Sequence, residues 1–299
     1  MSVNTPTAAA PLCAGPDFSP RAPRFKMPAL ACDTHAHICG PIARYAYYSE
    51  RIYTPADALL SDYRHMLATL GVERAVLVQP SVYGTDNTVM LEAMQAARPQ
   101  LRGVAVVAEN ISARELERMH EAGVRGVRVN IVDVKDRQPG SLPMDMLRPL
   151  AARIAPLGWH MEFLMHADEF PDLDRTFADF PVPIVLGHLG YMKTALGLNA
   201  PGFQALLRLM QAGKAWVKLT GPYRISGGPL PHADTVPFAH ALLQANADRV
   251  IWGTDWPHVM HKGQIPNDGD LTNLLLDWVP DAAQRERVLV SNPARLYGF

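Results

Sequence analysis

The chain is short of cysteine, of net charge and of long apolar runs, and each shortage excludes something. Three cysteines among 299 residues, Cys13, Cys32 and Cys39, are too few and too oddly placed for a disulfide framework. They fit a reducing cytoplasm, with Cys32 read as a small buried apolar residue. With 28 basic and 29 acidic side chains the formal net charge is −1, so no overall field favours nucleic acid or an anionic membrane. No apolar stretch reaches the roughly 18–20 residues that span a bilayer. The first 29 residues hold six prolines and lack a basic start followed by an apolar segment. They read as an arm, ordered or loosely attached, before one unit over residues 30–299. Internal repeats, linkers and low-complexity tracts are missing after that arm.

What the chain has is an alternation of apolar runs and amphipathic stretches. Strands are expected over Ala29–His37, Arg74–Ser81, Arg102–Ala108, Gly126–Asn130, His160–His166, Ile184–His188, Trp216–Thr220 and Arg249–Asp255. Runs such as AVLVQ and GVAVVA are nearly continuous, as suits parallel strands covered on both faces. Helices are expected over Ala56–Leu70, Thr85–Ala97, Ser112–Ala122, Phe203–Ala212, Val236–Ala247, Leu271–Val279 and Asp281–Leu289, with Ser112 and Glu115 forming a capping box. Eight strands alternating with helices argue for an α/β fold, a (β/α)8 TIM barrel. A doubly wound open sheet is the alternative, disfavoured because no glycine-rich dinucleotide fingerprint follows the first strand.

A barrel gathers its chemistry at the C-terminal ends of its strands. The run ends supply His35 and His37 in DTHAH, Gln79 and Ser81, Arg128 and Asn130, His166, His188 in LGHLG, Lys218 with Arg224 nearby, and Asp255 in IWGTDWPH. Residues two apart on a strand share a face, so His35 and His37 point into one cavity. A carboxylate closing an apolar strand, as Asp255 does, needs a partner or a task. His166 reads equally as a neighbour of a helix cap, and Lys218 as a side chain reaching out of an apolar run. His160, His232, His240, His258 and His261 are expected at the surface or behind the site, and His65 and His120 on exposed helix faces.

The strings DTHAH, VQPSVYGTDN, RGVRVN, VLGHLG, DRVIWGTDWPH and SNPARLYGF resemble, in order, the amidohydrolase superfamily. The branch is that of 2-pyrone-4,6-dicarboxylate hydrolase and related lactonases, and the likeness runs from about Ala31 to Tyr297. The resemblance implies hydrolysis of an anionic lactone from aromatic-acid or sugar-acid breakdown. Asp255 would be the general base, His35, His37 and His188 would polarise the carbonyl, and Tyr53, Ser81, Arg128 and Arg224 would hold the substrate. The chain departs from the pyrone hydrolase pattern at Leu164, at Val134 (with Lys135 and Arg137 nearby) and at Tyr191. Fewer carboxylate-binding groups imply one fewer carboxylate on the substrate, or a different anionic group.

The string matches favour chemistry with no required cofactor. A divalent metal, Zn or Mn, is the alternative, held by His35, His37, His166, His188 and Asp255. Two further functions compete: a metal-dependent decarboxylase of the same superfamily, and a non-catalytic ligand-binding barrel. No protein partner is implied.

Overall fold

The computed structural model describes residues 10–135 and 137–299. Eight parallel strands follow one another in chain order: β1 Cys32–Ala36, β2 Arg74–Val78, β3 Leu101–Ala105, β4 Val124–Asn130, β5 His160–Leu164, β6 Ile184–Leu186, β7 Ala215–Leu219 and β8 Val250–Trp252. The ring closes between its ends. Ala36 bridges Trp256, and Asp255 N donates to His35 O at 2.9 Å. The fold is the expected (β/α)8 barrel and not an open sheet.

Strand alternation divides the side chains into two layers. Ala75 and Leu77, Met161 and Phe163, and Val217 and Leu219 join the apolar layer under the helices. Their neighbours therefore face the barrel interior, where Cys32, Val76, Val104, Val185, Trp216 and Ile251 pack in one cluster with Tyr297. On the same parity, Glu162 and Lys218 point inward.

The strands stop earlier than the apolar runs. His37, Ser81, His166, His188 and Asp255 all lie just past a strand. The apolar run continues because the exit loops are buried, while the backbone has already left β space: φ is +51° at His188 and +67° at Asp255. The Ser112 capping box forms as expected at the helix Ala113–Ala122, where Ser112 Oγ accepts from Glu115 N at 3.2 Å. The helix Met144–Ile154 was not expected, since Pro143 before it and Pro149 within it mask its pattern.

Two expected helices are broken. Leu271–Val279 is replaced by Asp268–Asn273 and Leu275–Trp278. Asp281–Leu289 shortens to Ala282–Glu286, followed by a wider π turn over Arg287–Ser291 and the helix Asn292–Tyr297. Pro293 has no N–H to donate back into that turn. Within the arm, Cys13 N donates to Thr54 O at 2.8 Å and Arg21 N to Asn267 Oδ1 at 3.0 Å, which lays residues 10–29 along the barrel. Cys32 is fully buried. None of the described helices is long and apolar enough to cross a membrane.

Candidate active site

Asp33 builds the frame on which the first and last strands meet. Its Oδ1 accepts from His35 N (3.0 Å) and Thr254 N (2.9 Å), and its Oδ2 accepts from Tyr63 Oη (2.9 Å) and Thr254 Oγ1 (2.6 Å). Burial pushes its carboxyl up to about 6 against those donors. One side chain thus fixes both His35 and the turn that carries Asp255.

Three of the sequence-derived groups converge. Ligand atoms of His35, His188 and Asp255 lie within 4.8 Å of one another, and all three residues are buried. The His37 ring sits 5.0 Å from that of His35, and the His188 ring 5.3 Å from it. His37 Nδ1 donates to Val78 O at 2.7 Å, and His188 Nδ1 faces Thr220 O at 3.4 Å. Carbonyls only accept, so each Nδ1 carries a proton and each Nε2 offers a lone pair. Burial lowers all three imidazole pKa values: His35 well below its usual range, His37 to about 4 and His188 to about 3. The site holds neutral imidazoles at neutral pH.

The two oxygens of Asp255 differ. Oδ2 accepts from Tyr223 Oη (2.6 Å) and Arg224 Nε (2.7 Å). Among the described residues Oδ1 has no hydrogen-bond partner, and it lies 3.6 Å from His35 Nε2, which also has none. Burial would raise the Asp255 pKa, but the Arg224 guanidinium and then the imidazoles outweigh it and hold the carboxyl well below the usual range. Behind it, Tyr223 Oη lies 2.9 Å from His258 Nδ1, and His258 Nε2 lies 3.1 Å from Asp268 Oδ1. Gly221 makes room for this contact. A Cβ there would come within 2.6 Å of His188 Nδ1 and 2.8 Å of Asp255 Oδ2.

Below the imidazoles, Lys218 is fully buried and does not reach out of the barrel. Its Nζ donates to Glu162 Oε2 (2.6 Å) and Thr34 O (2.7 Å) and sits 3.2 Å from His35 Nδ1. Sequence reading passed over Glu162, Tyr223 and Asp268, while His258, expected at the surface or behind the site, lies behind it. A lone glutamate and a lone lysine at inward positions of apolar strands were the available signal. Tyr223 sits in a short turn with no periodicity to mark it.

The expected substrate-binding residues are more dispersed. Tyr53 is buried. Ser81 lines a cavity of about 510 Å³ together with Tyr48, Arg51, Asn130, Asp133 and Lys135. Arg128 donates to Gln79 O at 2.7 Å and stands close enough to His37 to lower its pKa. Arg224 uses Nε on Asp255 and Nη2 on Val259 O (3.1 Å). His166 lies outside the convergent group, with Nδ1 on Tyr191 O (2.7 Å) and its ring stacked on Tyr191 at 4.5 Å. Lys135 and Arg137, the cations near Val134, are paired with Glu50 and Glu169.

The spacing of His35, His188 and Asp255 admits a divalent ion, but the charge around them opposes it. A guanidinium already neutralises the carboxylate, and the Lys218 ammonium lies behind one imidazole. His37 and His166 stand outside the group. The three donors can hold a divalent ion, and the positive charge beside them weighs against one.

The sequence profile of the amidohydrolase family matches residues 32–299. The chain is 38% identical over 288 residues to a 2-pyrone-4,6-dicarboxylate hydrolase of Comamonas testosteroni, covering 93% of each. It is 36% identical over 290 residues to a 4-sulfomuconolactone hydrolase of Hydrogenophaga intermedia, covering 96% of this chain and 95% of that one. A Pseudomonas putida crystal structure, proposed to be a 2-pyrone-4,6-dicarboxylic acid hydrolase, superposes with a TM-score of 0.79 at 34% identity. That match covers 91% of this chain and 98% of the other.

Proposed function

This chain belongs to the amidohydrolase family and is a lactone hydrolase, and we propose that it opens an anionic lactone without a metal, using Asp255 as general base. The observation that carries this is the asymmetry of the Asp255 carboxylate: Oδ2 is tied to Tyr223 and Arg224, while Oδ1 is buried and free beside an equally free His35 Nε2. A water between them gives its proton to Oδ1 as its oxygen bonds to the lactone carbonyl carbon. Positioned proton transfer of this kind contributes about 10²–10⁴ in rate. As the tetrahedral intermediate collapses, the ring C–O bond breaks and the leaving oxygen recovers the proton from Asp255. Carbonyl oxygen charge builds toward His35, where a lost donor costs roughly 10²–10³.

Arg128 and the Nη1 edge of Arg224 suit a carboxylate or sulfonate. With Leu164 and Tyr191 in place of anion-binding groups, and with Lys135 and Arg137 already paired, a ring bearing two carboxylates is under-served. We therefore place the substrate among muconolactone-type rings that carry one carboxylate with a sulfonate, or one carboxylate alone, acted on in the cytoplasm. The test is turnover of 4-sulfomuconolactone, muconolactone and 2-pyrone-4,6-dicarboxylate, each with and without a chelator. The expected result is a preference for the first two and no effect of chelation. Activity lost to chelator and restored by Zn or Mn would overturn the metal-free reading in favour of a metal-dependent lactone hydrolase.

A further inference from the structure

We propose that Lys218, held by Glu162, dictates which nitrogen of His35 carries its proton, so that His35 alone of the three imidazoles presents an N–H to the substrate.

The argument starts from the three protons of a lysine ammonium. Inside the barrel, Lys218 Nζ has three acceptors in reach: Glu162 Oε2 at 2.6 Å, Thr34 O at 2.7 Å and His35 Nδ1 at 3.2 Å. An ammonium donates and cannot accept. If His35 Nδ1 carried a proton, two N–H groups would oppose each other at 3.2 Å in a dry interior, and one lysine proton would be stranded. Glu162 Oε1 is also 3.2 Å from Nδ1 and would accept a proton from it. The two contacts compete, and their costs differ. Leaving one oxygen of a carboxylate under-bonded costs less than burying a charged donor with no acceptor. Nδ1 therefore accepts from Lys218, and the proton of the neutral ring sits on Nε2.

That places His35 opposite to its neighbours. His37 and His188 direct Nδ1–H at the carbonyls of Val78 and Thr220, so their Nε2 atoms are lone pairs. Only His35 directs a proton toward the free Asp255 oxygen, 3.6 Å from its Nε2, a gap beside which a carbonyl oxygen fits. The three imidazoles are thus not equivalent carbonyl polarisers. His35 donates to the developing oxyanion, and His37 and His188 accept from water or substrate hydroxyls. A proton on Nε2 also bars that nitrogen from ligating a metal. The catalytic consequence rests on the lactone-hydrolase reading; the tautomer does not. Lys218 and Glu162 are positioning residues, buried beneath a group that touches substrate.

The experiment is long-range ¹H–¹⁵N NMR of the full chain with labelled histidine near pH 7. Each ring is assigned by its loss in a single His→Gln variant. The expected spectrum shows the Nε2–H tautomer for His35 and the Nδ1–H tautomer for His37 and His188. An Nδ1–H tautomer at His35 overturns the proposal. The paired variant Lys218→Met with Glu162→Gln removes both charges, so neither is stranded. It is expected to turn His35 toward Nδ1–H and to lower kcat about 10²-fold, with KM changed less than about threefold. A double variant that keeps the Nε2–H signature removes Lys218 from the role. If that variant does not fold, the wild-type spectrum decides. Should no lactone be turned over at all, the spectrum still reads the tautomer, and only the function above fails.

Discussion

Arg224 Nε lies 2.7 Å from Asp255 Oδ2, so the cation expected to greet the substrate is bound to the carboxylate proposed to take the proton of the attacking water. The guanidinium is the foremost reason that the carboxyl stays ionised despite burial. Arg224→Met removes that counter-charge, and burial alone then pushes the Asp255 pKa upward. The acid limb of the kcat/KM profile should move to higher pH. Turnover should fall about 10-fold or more on a neutral lactone and further on an anionic one. A loss confined to anionic lactones, with an unmoved pH profile, would reduce Arg224 to a substrate clamp.

The phenol of Tyr223 donates to the same oxygen and rests against His258, which is tied to Asp268. A hydrogen bond to a charged group contributes roughly 1.5–3 kcal/mol. Tyr223→Phe keeps the ring and deletes that bond together with the contact to His258. kcat should fall about 10-fold with little change in KM, because the base loses orientation while the substrate loses no contact. A rate within twofold of wild type would show that Arg224 alone holds the carboxylate.

Much of this architecture could be read in the sequence, and the reason is periodicity. The eight parallel strands stand out because both faces are buried, and His35, His37, His188 and Asp255 because they end such runs. The interior pair Glu162–Lys218 was obscured because its members are 56 residues apart and each interrupts an apolar strand only once. Tyr223, His258 and Asp268 occupy turns and loop exits, where no repeat betrays which way a side chain points. Strand ends were overestimated because hydrophobicity follows burial and not backbone geometry: the apolar run into Asp255 continues past β8, where φ has already turned positive.

Gly221 lies where β7 turns toward Tyr223, with φ at +51°. A methyl group there would press on His188 Nδ1 at 2.6 Å and on Asp255 Oδ2 at 2.8 Å, the oxygen that Tyr223 and Arg224 share. Gly221→Ala therefore strains the backbone and displaces the base at once. We expect at least a 10²-fold loss of kcat with the far-UV circular dichroism retained. Activity within fivefold of wild type would show that the Asp255 position tolerates movement.

The buried imidazoles fix the sign of the pH dependence of stability. His37 and His160 are lowered to about 4 and His188 to about 3, in each case mainly by burial, against an ordinary value near 6.5. Below pH 6.5 the unfolded chain takes up these protons while the folded chain refuses them, so stability falls with falling pH. Between pH 7 and pH 4 each contributes a loss on the order of 3 kcal/mol. Asp33 works the other way. Its folded pKa of about 6 lies above its unfolded one, so protonation over the same interval restores about 2 kcal/mol. Three histidines outweigh one carboxylate, and the net loss is a large share of the ~5–15 kcal/mol that keeps a domain folded. The urea midpoint should drop steeply between pH 6 and pH 4. Among the described residues neither ring nitrogen of His160 is hydrogen-bonded, and His160 opens β5 whereas Asp255 follows the end of β8, so His160→Gln should flatten that drop by roughly one proton's worth without moving the acid limb of activity. A midpoint that stays level from pH 7 to pH 4 would mean that these rings are protonated in the folded barrel.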